Sequence, residues 1–346
     1  MVLYRKYRPQ RLSELDLEDV REKLAKIVGS SFRPHAYLFS GPKGTGKTSA
    51  ARIVAKIINC ETSSNNKGEP CNKCESCVAI REGRYLDVLE IDAASNRGID
   101  EIRDLREKIK LAPVSAKYKV YIIDEVHMLT NDAFNALLKT LEEPPAHAQF
   151  ILATTEADKL PETIISRTTR INFQKASHGE LRQSLDRVIK GEKIKMENDV
   201  ADFIAEMADG SFRDATKLLE QAVNLQVKNI KEARVMLGAD TVSGEKFLIL
   251  LAKKKVKEIL LIIVEMTENG ADFRLFISGV LNVLHRILLD MHQIKQENLD
   301  PEMRGLFTLS EMNKLFKLLA DSYNQIRFAS RPEIPLTTLV VEWCGE

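Results

Sequence analysis

The 346-residue sequence has no long hydrophobic run and no excess of charge of either sign. No apolar stretch is longer than residues 259–264, which lie between Glu258 and Glu265 and are far fewer than the roughly 18 residues of a membrane span. The N-terminus lacks the apolar core of a secretory signal peptide. We therefore expect no membrane segment and a reducing, cytoplasmic location. The net charge of +1 does not identify a nucleic-acid binder, although a local basic patch is compatible with it.

Cysteine is scarce, and four of the five cysteines lie close together at Cys60, Cys71, Cys74 and Cys77. In a reducing compartment such a cluster favours a metal site over disulfides. Four thiolates are the ligand set of tetrahedral Zn²⁺, and a closed set indicates a structural metal. An iron–sulfur cluster is the chemical alternative, because the C-x2-C-x2-C spacing also occurs there. Free thiols are the third interpretation, and Cys344 stands alone as a core or surface thiol.

Alternating apolar strands and amphipathic helices predict an α/β fold with a parallel sheet in the first half of the chain. The predicted strands are residues 36–40, 87–91, 120–123, 150–154 and 171–173. We expect a helix over 47–59 and another that ends near Glu142, capped by Asn131 or Asp132. After about residue 174 helical spacing dominates. Three domains are predicted: 1–173 with a cysteine module at 60–77, a small helical domain at 174–238, and a larger helical domain at 239–346.

A glycine-rich segment after the first predicted strand fits G-x-x-x-x-G-K-[ST] at every fixed position. Backbone N–H groups of such a loop close around phosphate oxygens, helped by the dipole of the following helix. Lys47 is expected to reach the β- and γ-phosphates, and the Thr48 hydroxyl to bind Mg²⁺. A chance glycine turn is the non-functional alternative. The residues expected to bind nucleotide here are Gly41, Pro42, Lys43, Gly44, Thr45, Gly46, Lys47, Thr48 and Ser49.

Two carboxylates, Asp124 and Glu125, end the apolar strand predicted at 120–123. Asp124 can hold the Mg²⁺ that Thr48 also binds, and Glu125 can then polarise an attacking water. This order of carboxylates favours an ATPase over a kinase. A solvated acidic turn is the non-functional alternative. The tetrad 124–127, Asp-Glu-Val-His, also resembles a helicase motif.

Together these motifs resemble the gamma/tau subunit family of bacterial DNA polymerase III, the motor of the sliding-clamp loader. The resemblance covers essentially the whole chain. It rests on order and spacing of segments at 5–9, 41–48, 60–77, 89–96, 124–129, 135–145, 152–155, 166–167 and 210–215. It implies a P-loop AAA+ ATPase domain with a zinc module, a helical lid at 174–238 and an all-α collar for oligomerisation at 239–346.

The resemblance also implies roles for individual polar residues. Thr155 corresponds to a polar sensor of the γ-phosphate, with Thr154 as the neighbouring alternative. Arg167 corresponds to an arginine finger that enters the ATP site of the next subunit, and Arg213 to a lid arginine that contacts phosphate within its own subunit. A surface ion pair is the ordinary interpretation of any single arginine, and only the surrounding motif favours these roles.

Tyr4, Arg8 and Pro9 correspond to the family segment that packs near adenine. The chain departs from the family pattern at residues 16–19, Asp-Leu-Glu-Asp, where the family usually carries a Val-Gly-Gln element. That departure puts the adenine contacts of this stretch in question. Thr168 replaces the usual cysteine after the finger arginine, a change that leaves the guanidinium unaffected.

The function implied by the resemblance is ATP-driven loading of a sliding clamp onto primed DNA in the bacterial cytoplasm. The cofactors are ATP, Mg²⁺ and Zn²⁺. The partners are other clamp-loader subunits in a pentameric hetero-oligomer, the sliding clamp and primer–template DNA. The resemblance further implies that the assembled complex is a DNA-directed DNA polymerase, although this chain has no evident polymerase site. The alternatives are a helicase or branch-migration motor and a catalytically idle loader subunit. The chain corresponds to the family's shorter form or to a truncation of the longer one.

Overall fold

The computed structural model describes residues 2–30, 33–62, 68–95, 107, 109–236, 244–268, 270–294 and 301–345. The chain divides into two compact units, Met1–Val223 and Asn224–Glu346. Each unit has its own apolar core.

The first unit is built on a five-stranded sheet in the order β2-β3-β4-β1-β5, with every described pairing parallel. The strands are β1 (Ala36–Ser40), β2 (Val88–Asp92), β3 (Lys119–Asp124), β4 (Ala148–Thr154) and β5 (Thr169–Asn172). The predicted parallel α/β sheet is therefore confirmed. Because β3, β4 and β1 are consecutive in the sheet, their carboxyl ends lie side by side at one edge, where parallel sheets place their ligand sites.

Four of the five predicted strands begin at different residues in the structure. The strand predicted at 120–123 is Lys119–Asp124, and the strand predicted at 150–154 is Ala148–Thr154. The strand predicted at 87–91 is Val88–Asp92, because Asp87 turns its side chain onto a neighbouring loop. The strand predicted at 171–173 is Thr169–Asn172, because Thr169 and the residues after it pair with β1. All four differences lie at strand ends, where composition alone does not fix the hydrogen-bonding register.

Helices cover the sheet and continue beyond it in the first unit. They are α1 (Leu3–Lys6), α2 (Glu18–Val28), α3 (Lys47–Asn59), α4 (Glu75–Glu82), α5 (Asn131–Glu142), α6 (Glu162–Ile165), α7 (His178–Glu192), α8 (Asn198–Met207) and α9 (Phe212–Asn224). The predicted helix 47–59 coincides with α3. The predicted cap of α5 is wrong by one residue: the Thr130 hydroxyl, not Asn131 or Asp132, accepts a hydrogen bond from the Ala133 amide.

The second unit contains only helices among its described elements. These are α10 (Ile230–Met236), α11 (Gly244–Ala252), α12 (Val256–Glu268), α13 (Phe273–Met291), α14 (Leu309–Gln325) and α15 (Ile334–Cys344). The buried side chains of α11 to α15 belong to one cluster, in which the Trp343 indole donates to the Leu251 carbonyl at 3.0 Å. Across the described parts of both units, no helix combines the length and the apolar character needed to cross a bilayer.

Asp87 is fully buried at the start of β2 and closes the loop that leads to β3. Its carboxylate accepts hydrogen bonds from the amides of Val114, Ser115 and Ala116 at 2.8–2.9 Å. Burial alone would raise the pKa of this carboxyl, but the three amide donors outweigh it and hold the pKa below its usual value.

We predict that Asp87→Asn lowers the free energy of unfolding by about 2–3 kcal/mol, because an amide turns N–H groups toward the same donors. Since the folded pKa is the lower one, this contribution is present above the unfolded pKa of about 3.9 and is lost as the pH falls through the folded pKa. Urea unfolding should therefore show a difference in the free energy of unfolding between the unaltered chain and Asp87→Asn at neutral pH, and this difference should become smaller at acidic pH. The matched control Asp158→Asn, at an exposed site, should stay within about 0.5 kcal/mol. Equal stability of the two variants would contradict this role.

Candidate nucleotide site and cysteine cluster

The glycine loop connects β1 to α3 and requires glycine for two close approaches. Gly41 has φ 145°, and a Cβ there would lie 1.9 Å from the Phe173 carbonyl oxygen. Gly44 has φ 82°, and a Cβ there would lie 2.0 Å from the Ser211 hydroxyl. The loop therefore folds tightly against the chain after β5 and against the segment before α9, with its amides at the helix start.

Lys47 and Thr48 begin α3, at the edge of the sheet. The Lys47 ammonium is nearly buried and donates to the carbonyls of Gly41 at 2.6 Å and Pro42 at 2.8 Å. Burial lowers the pKa of Lys47, and the carboxylates of Glu125 and Asp124 oppose that shift. The Thr48 hydroxyl donates to Asp124 Oδ2 at 2.8 Å. The two residues predicted to share Mg²⁺ are thus in direct contact, and their oxygens are the hard ligands that this ion takes.

Glu125 follows Asp124 in a left-handed backbone conformation, φ 49°, that is uncommon for a residue with a side chain. Its Oε2 accepts hydrogen bonds from the Thr155 amide at 3.1 Å and the Thr155 hydroxyl at 2.9 Å. Thr154 is fully buried, and its hydroxyl lies 3.0 Å from His127 Nδ1. Of the two candidate threonines, Thr155 is therefore the one that contacts Glu125, and it does so across the ends of β3 and β4.

A cleft of about 980 Å³ lies beside the loop, with the N-terminal segment and helices α7 and α9 on its other sides. Tyr4, Arg8, Pro9 and Arg213 all line it. The Arg213 guanidinium lies 5.1 Å from the centre of the Tyr4 ring. Burial lowers the pKa of Arg8, and the positive charge of Arg52 acts in the same direction. The structure brings these four predicted residues to the same cavity as the phosphate loop.

Arg167 is not among the residues that line this cleft. Its guanidinium donates to the Thr163 carbonyl at 3.0 Å and to Glu142 Oε1 at 2.8 Å, with 34% of the side chain exposed. Arg167 is thus partly exposed and held in an ion pair with Glu142.

Several lining residues were not predicted from the sequence. Residues 16 and 17, where the chain departs from the family pattern, line the cleft, and Asp16 forms an ion pair with Arg187 of α7 at 2.8 Å. Further unpredicted lining residues are Arg52, Lys56, Arg81 and Glu82. One signal was available: Lys56 lies among apolar residues in α3, where a charge is unexpected.

The four clustered cysteines converge in the structure, since all four sulfur atoms lie within 4.8 Å of one another. Cys71 Sγ accepts hydrogen bonds from the amides of Lys73 at 3.4 Å and Cys74 at 3.2 Å. Cys60 Sγ accepts from the Cys71 amide at 3.4 Å. Amide donors stabilise thiolate charge, and a compact set of four thiols fits tetrahedral Zn²⁺.

The thiols differ in acidity as a result of burial and amide contacts. For Cys71, burial would raise the pKa, but the Lys73 and Cys74 amides lower it to about 6. Burial raises the pKa of both Cys74 and Cys77. Since thiolates are the metal ligands, metal binding here would release protons from the more buried thiols.

Comparison with known proteins first defines the class. A sequence model described as DNA polymerase III, delta subunit, matches residues 17–177, and one described as DNA polymerase III clamp loader subunit, ATPase lid domain, matches residues 180–226. The RuvB Holliday junction branch migration motor of Thermotoga maritima superposes with a TM-score of 0.50 at 17% identity, covering 77% of this chain and 86% of that chain. At that identity the likeness shows the fold alone. The chain has a P-loop AAA+ fold followed by a helical lid.

Curated relatives then define the family. DNA polymerase III subunit gamma of Buchnera aphidicola subsp. Schizaphis graminum is 37% identical, covering 83% of this chain and 80% of that protein. Subunit tau of Bacillus subtilis is 39% identical over 99% of this chain and 63% of that protein, and tau of Escherichia coli is 36% identical over 96% and 52%. The chain belongs to the gamma/tau subunit family of DNA polymerase III. It spans between half and two thirds of the length of these tau relatives.

We predict that the purified chain contains about one zinc per molecule, because the four thiols form a closed tetrahedral set. Cys74→Ser should lose most of this metal, whereas Cys344→Ser, which removes the cysteine outside the cluster, should retain it. Mass spectrometry of the metal content checks both variants. Iron in place of zinc, or full metal retention by Cys74→Ser, would contradict the assignment.

Proposed function

We propose that this chain is the ATP-hydrolysing motor subunit of a bacterial replicative clamp loader. The observation that carries this proposal is the 2.8 Å hydrogen bond between Thr48 and Asp124. It unites the end of the glycine loop with the carboxylate of β3, the pair that holds Mg²⁺ in P-loop nucleoside triphosphatases. Membership of the gamma/tau family supports the same conclusion independently.

In the proposed mechanism the loop amides and Lys47 bind the triphosphate. Thr48 and Asp124 would hold Mg²⁺, which would supply positive charge to balance that of the phosphates. Glu125 accepts a proton from the water that attacks the γ-phosphate. Two hydrogen bonds from Thr155 orient the Glu125 carboxylate. A γ-phosphate that contacts Thr155 would therefore change the orientation of the general base.

The lid contributes to the site within the same chain. The Phe212 amide at the start of α9 donates to the Gly44 carbonyl at 3.1 Å, which joins the lid to the phosphate loop. The next residue, Arg213, lines the cleft. We assign Arg213 to phosphate contact in cis, and Tyr4, Arg8 and Pro9 to the nucleoside side of the cleft.

Arg167 is assigned to the ATP site of an adjacent subunit. Its exposure and its separation from its own cleft support action in trans. We assign residues 1–173 to the ATPase domain, 174–238 to the lid and 239–346 to an oligomerisation collar. The independent helical core of the second unit supports the last assignment.

The proposed cycle couples ATP to a ring-shaped clamp in the bacterial cytoplasm. ATP binding between subunits of a pentameric loader would stabilise a state that opens the clamp and grips primer–template DNA. Hydrolysis would then release both. The DNA-directed DNA polymerase activity of the larger complex is assigned to other subunits.

We predict that Lys47→Ala and Glu125→Gln fail at different steps. Lys47→Ala removes the phosphate-binding ammonium and should lower ATP affinity by at least about tenfold. Glu125→Gln removes only the general base, so it should bind ATP normally and lose about 10²-fold or more in turnover. Calorimetric binding and steady-state phosphate release separate the two effects. Retained affinity and turnover in Lys47→Ala would contradict the P-loop assignment.

We predict that Arg167→Ala lowers ATP turnover in the reconstituted loader by about 10³-fold, the scale of an arginine finger. Binding of ATP to the isolated chain should be unchanged, because Arg167 lies outside its own cleft. Arg182→Ala, which removes a lid arginine paired with Asp202, is the matched control and should keep turnover within a few-fold. Unchanged turnover in the Arg167→Ala complex would refute action in trans.

A further inference from the structure

Lys56 is a buried lysine of α3 that joins two segments distant from it in sequence. Only 1% of the residue is exposed. Its ammonium donates to the Gln10 carbonyl at 2.6 Å, to Gln10 Oε1 at 2.9 Å and to Asn72 Oδ1 at 2.7 Å. A buried ammonium is tolerated only when its donors are satisfied. The N-terminal segment and the cysteine module must therefore both hold their positions for Lys56 to remain buried.

The hydrogen bonds continue from Lys56 to the wall of the cleft. Gln10 Nε2 donates to the Arg8 carbonyl at 2.9 Å, and the Gln10 amide donates to Glu14 Oε2 at 2.6 Å. Arg8, Gln10 and Lys56 all line the cleft. An unbroken chain of contacts thus runs from Asn72, through Lys56 and Gln10, to Arg8.

Glu69 provides a second and independent connection from the cysteine module. Its carboxylate accepts hydrogen bonds from the Leu12 amide at 2.9 Å and the Ser13 amide at 2.8 Å. These amides belong to the short turn that directs the chain toward Leu15 and Leu17, which line the cleft. The module therefore holds the N-terminal segment at two points.

The surface held in this way is the part of the cleft suited to a nucleobase. The glycine loop and Lys47 supply the donors for phosphate at one side. Apolar side chains for a planar ring come from Leu15, Leu17, Val20 and Val188. Three of these four residues follow directly on the segment that Lys56 and Glu69 hold.

We propose that Lys56 is a positioning residue for nucleotide binding, through which the cysteine module, residues 60–77, fixes the base side of the cleft. This inference rests on the ATP-binding function proposed above. Asn72 lies between Cys71 and Cys74 and has φ 59°. Cys71 and Cys74, if they hold a metal, would fix this residue and hence the acceptor for Lys56.

The test compares ATP with inorganic tripolyphosphate as ligands of the full chain, by calorimetry with Mg²⁺. Lys56→Met should weaken ATP binding by about tenfold, the scale of a lost charged hydrogen bond. Tripolyphosphate has no base, so its affinity should change by less than about twofold. The control Lys73→Met makes the same substitution at an exposed lysine of the same module and should leave both affinities unchanged. Zinc content should be the same in all three proteins.

Three outcomes would overturn the inference. Unchanged ATP affinity in Lys56→Met would show that Lys56 does not position the base. An equal loss for both ligands would make Lys56 a general support of the domain, and loss of zinc would make it a support of the metal site. If the unaltered chain binds tripolyphosphate but not ATP, or neither ligand, the proposed function itself fails.

Asn72→Gly keeps the inference testable if Lys56→Met does not fold. Glycine accepts the left-handed backbone of this position and removes only the Lys56 acceptor. It should weaken ATP binding several-fold, again without an effect on tripolyphosphate. Removing the metal with a chelator should weaken ATP binding, but not tripolyphosphate binding, in the unaltered chain. In Lys56→Met the chelator should have little added effect, because metal removal and the substitution disrupt the same contacts. If chelation and Lys56→Met instead caused additive losses of ATP affinity, they would act through different contacts and the inference would fail.

Discussion

The hydrogen bond from Thr48 to Asp124 is the contact on which the candidate site depends. It requires that the first turn of α3 and the end of β3 reach the same point, although 76 residues separate them. The parallel order β3-β4-β1 places the end of β4, and Thr155 directly after it, between the ends of β3 and β1. Glu125 and Thr155 then meet as a consequence of strand order. A single constraint of sheet topology thus brings together Thr48, Asp124, Glu125 and Thr155, the proposed metal ligands, general base and polar partner.

The opposite wall of the cleft depends on contacts between segments far apart in the chain. The Tyr7 hydroxyl donates to Glu192 at 2.6 Å, and Asp16 pairs with Arg187, so the N-terminal segment is attached to α7. The Phe212 amide attaches α9 to the phosphate loop. A nucleotide in this cleft would therefore contact elements of the sheet domain, the N-terminus and the lid together. A nucleotide bound there would therefore favour one position of the lid relative to the phosphate loop.

The cysteine cluster is integrated into the nucleotide domain more closely than its spacing predicts. A closed set of four thiols suggests only a structural metal at the surface. The structure adds Arg81 and Glu82 at the cleft and the buried Lys56 bridge to Gln10. These contacts depend on polar side chains outside the metal-binding motif, and no spacing rule predicts them. The position of the module relative to the N-terminal segment is therefore set by tertiary contacts and not by the cysteine spacing.

The sequence by itself determined the parallel α/β class, the glycine loop, the acidic strand end and the four cysteines, because each is a local pattern with a fixed spacing. It misplaced the start of β2 and the cap of α5, because Asp87 and Thr130 are fixed by hydrogen bonds rather than by composition. Only the tertiary structure decided that Thr155 contacts Glu125 and that Lys56 is buried against Gln10. These pairings join residues tens of positions apart, and their partners are set by packing, which no local pattern encodes.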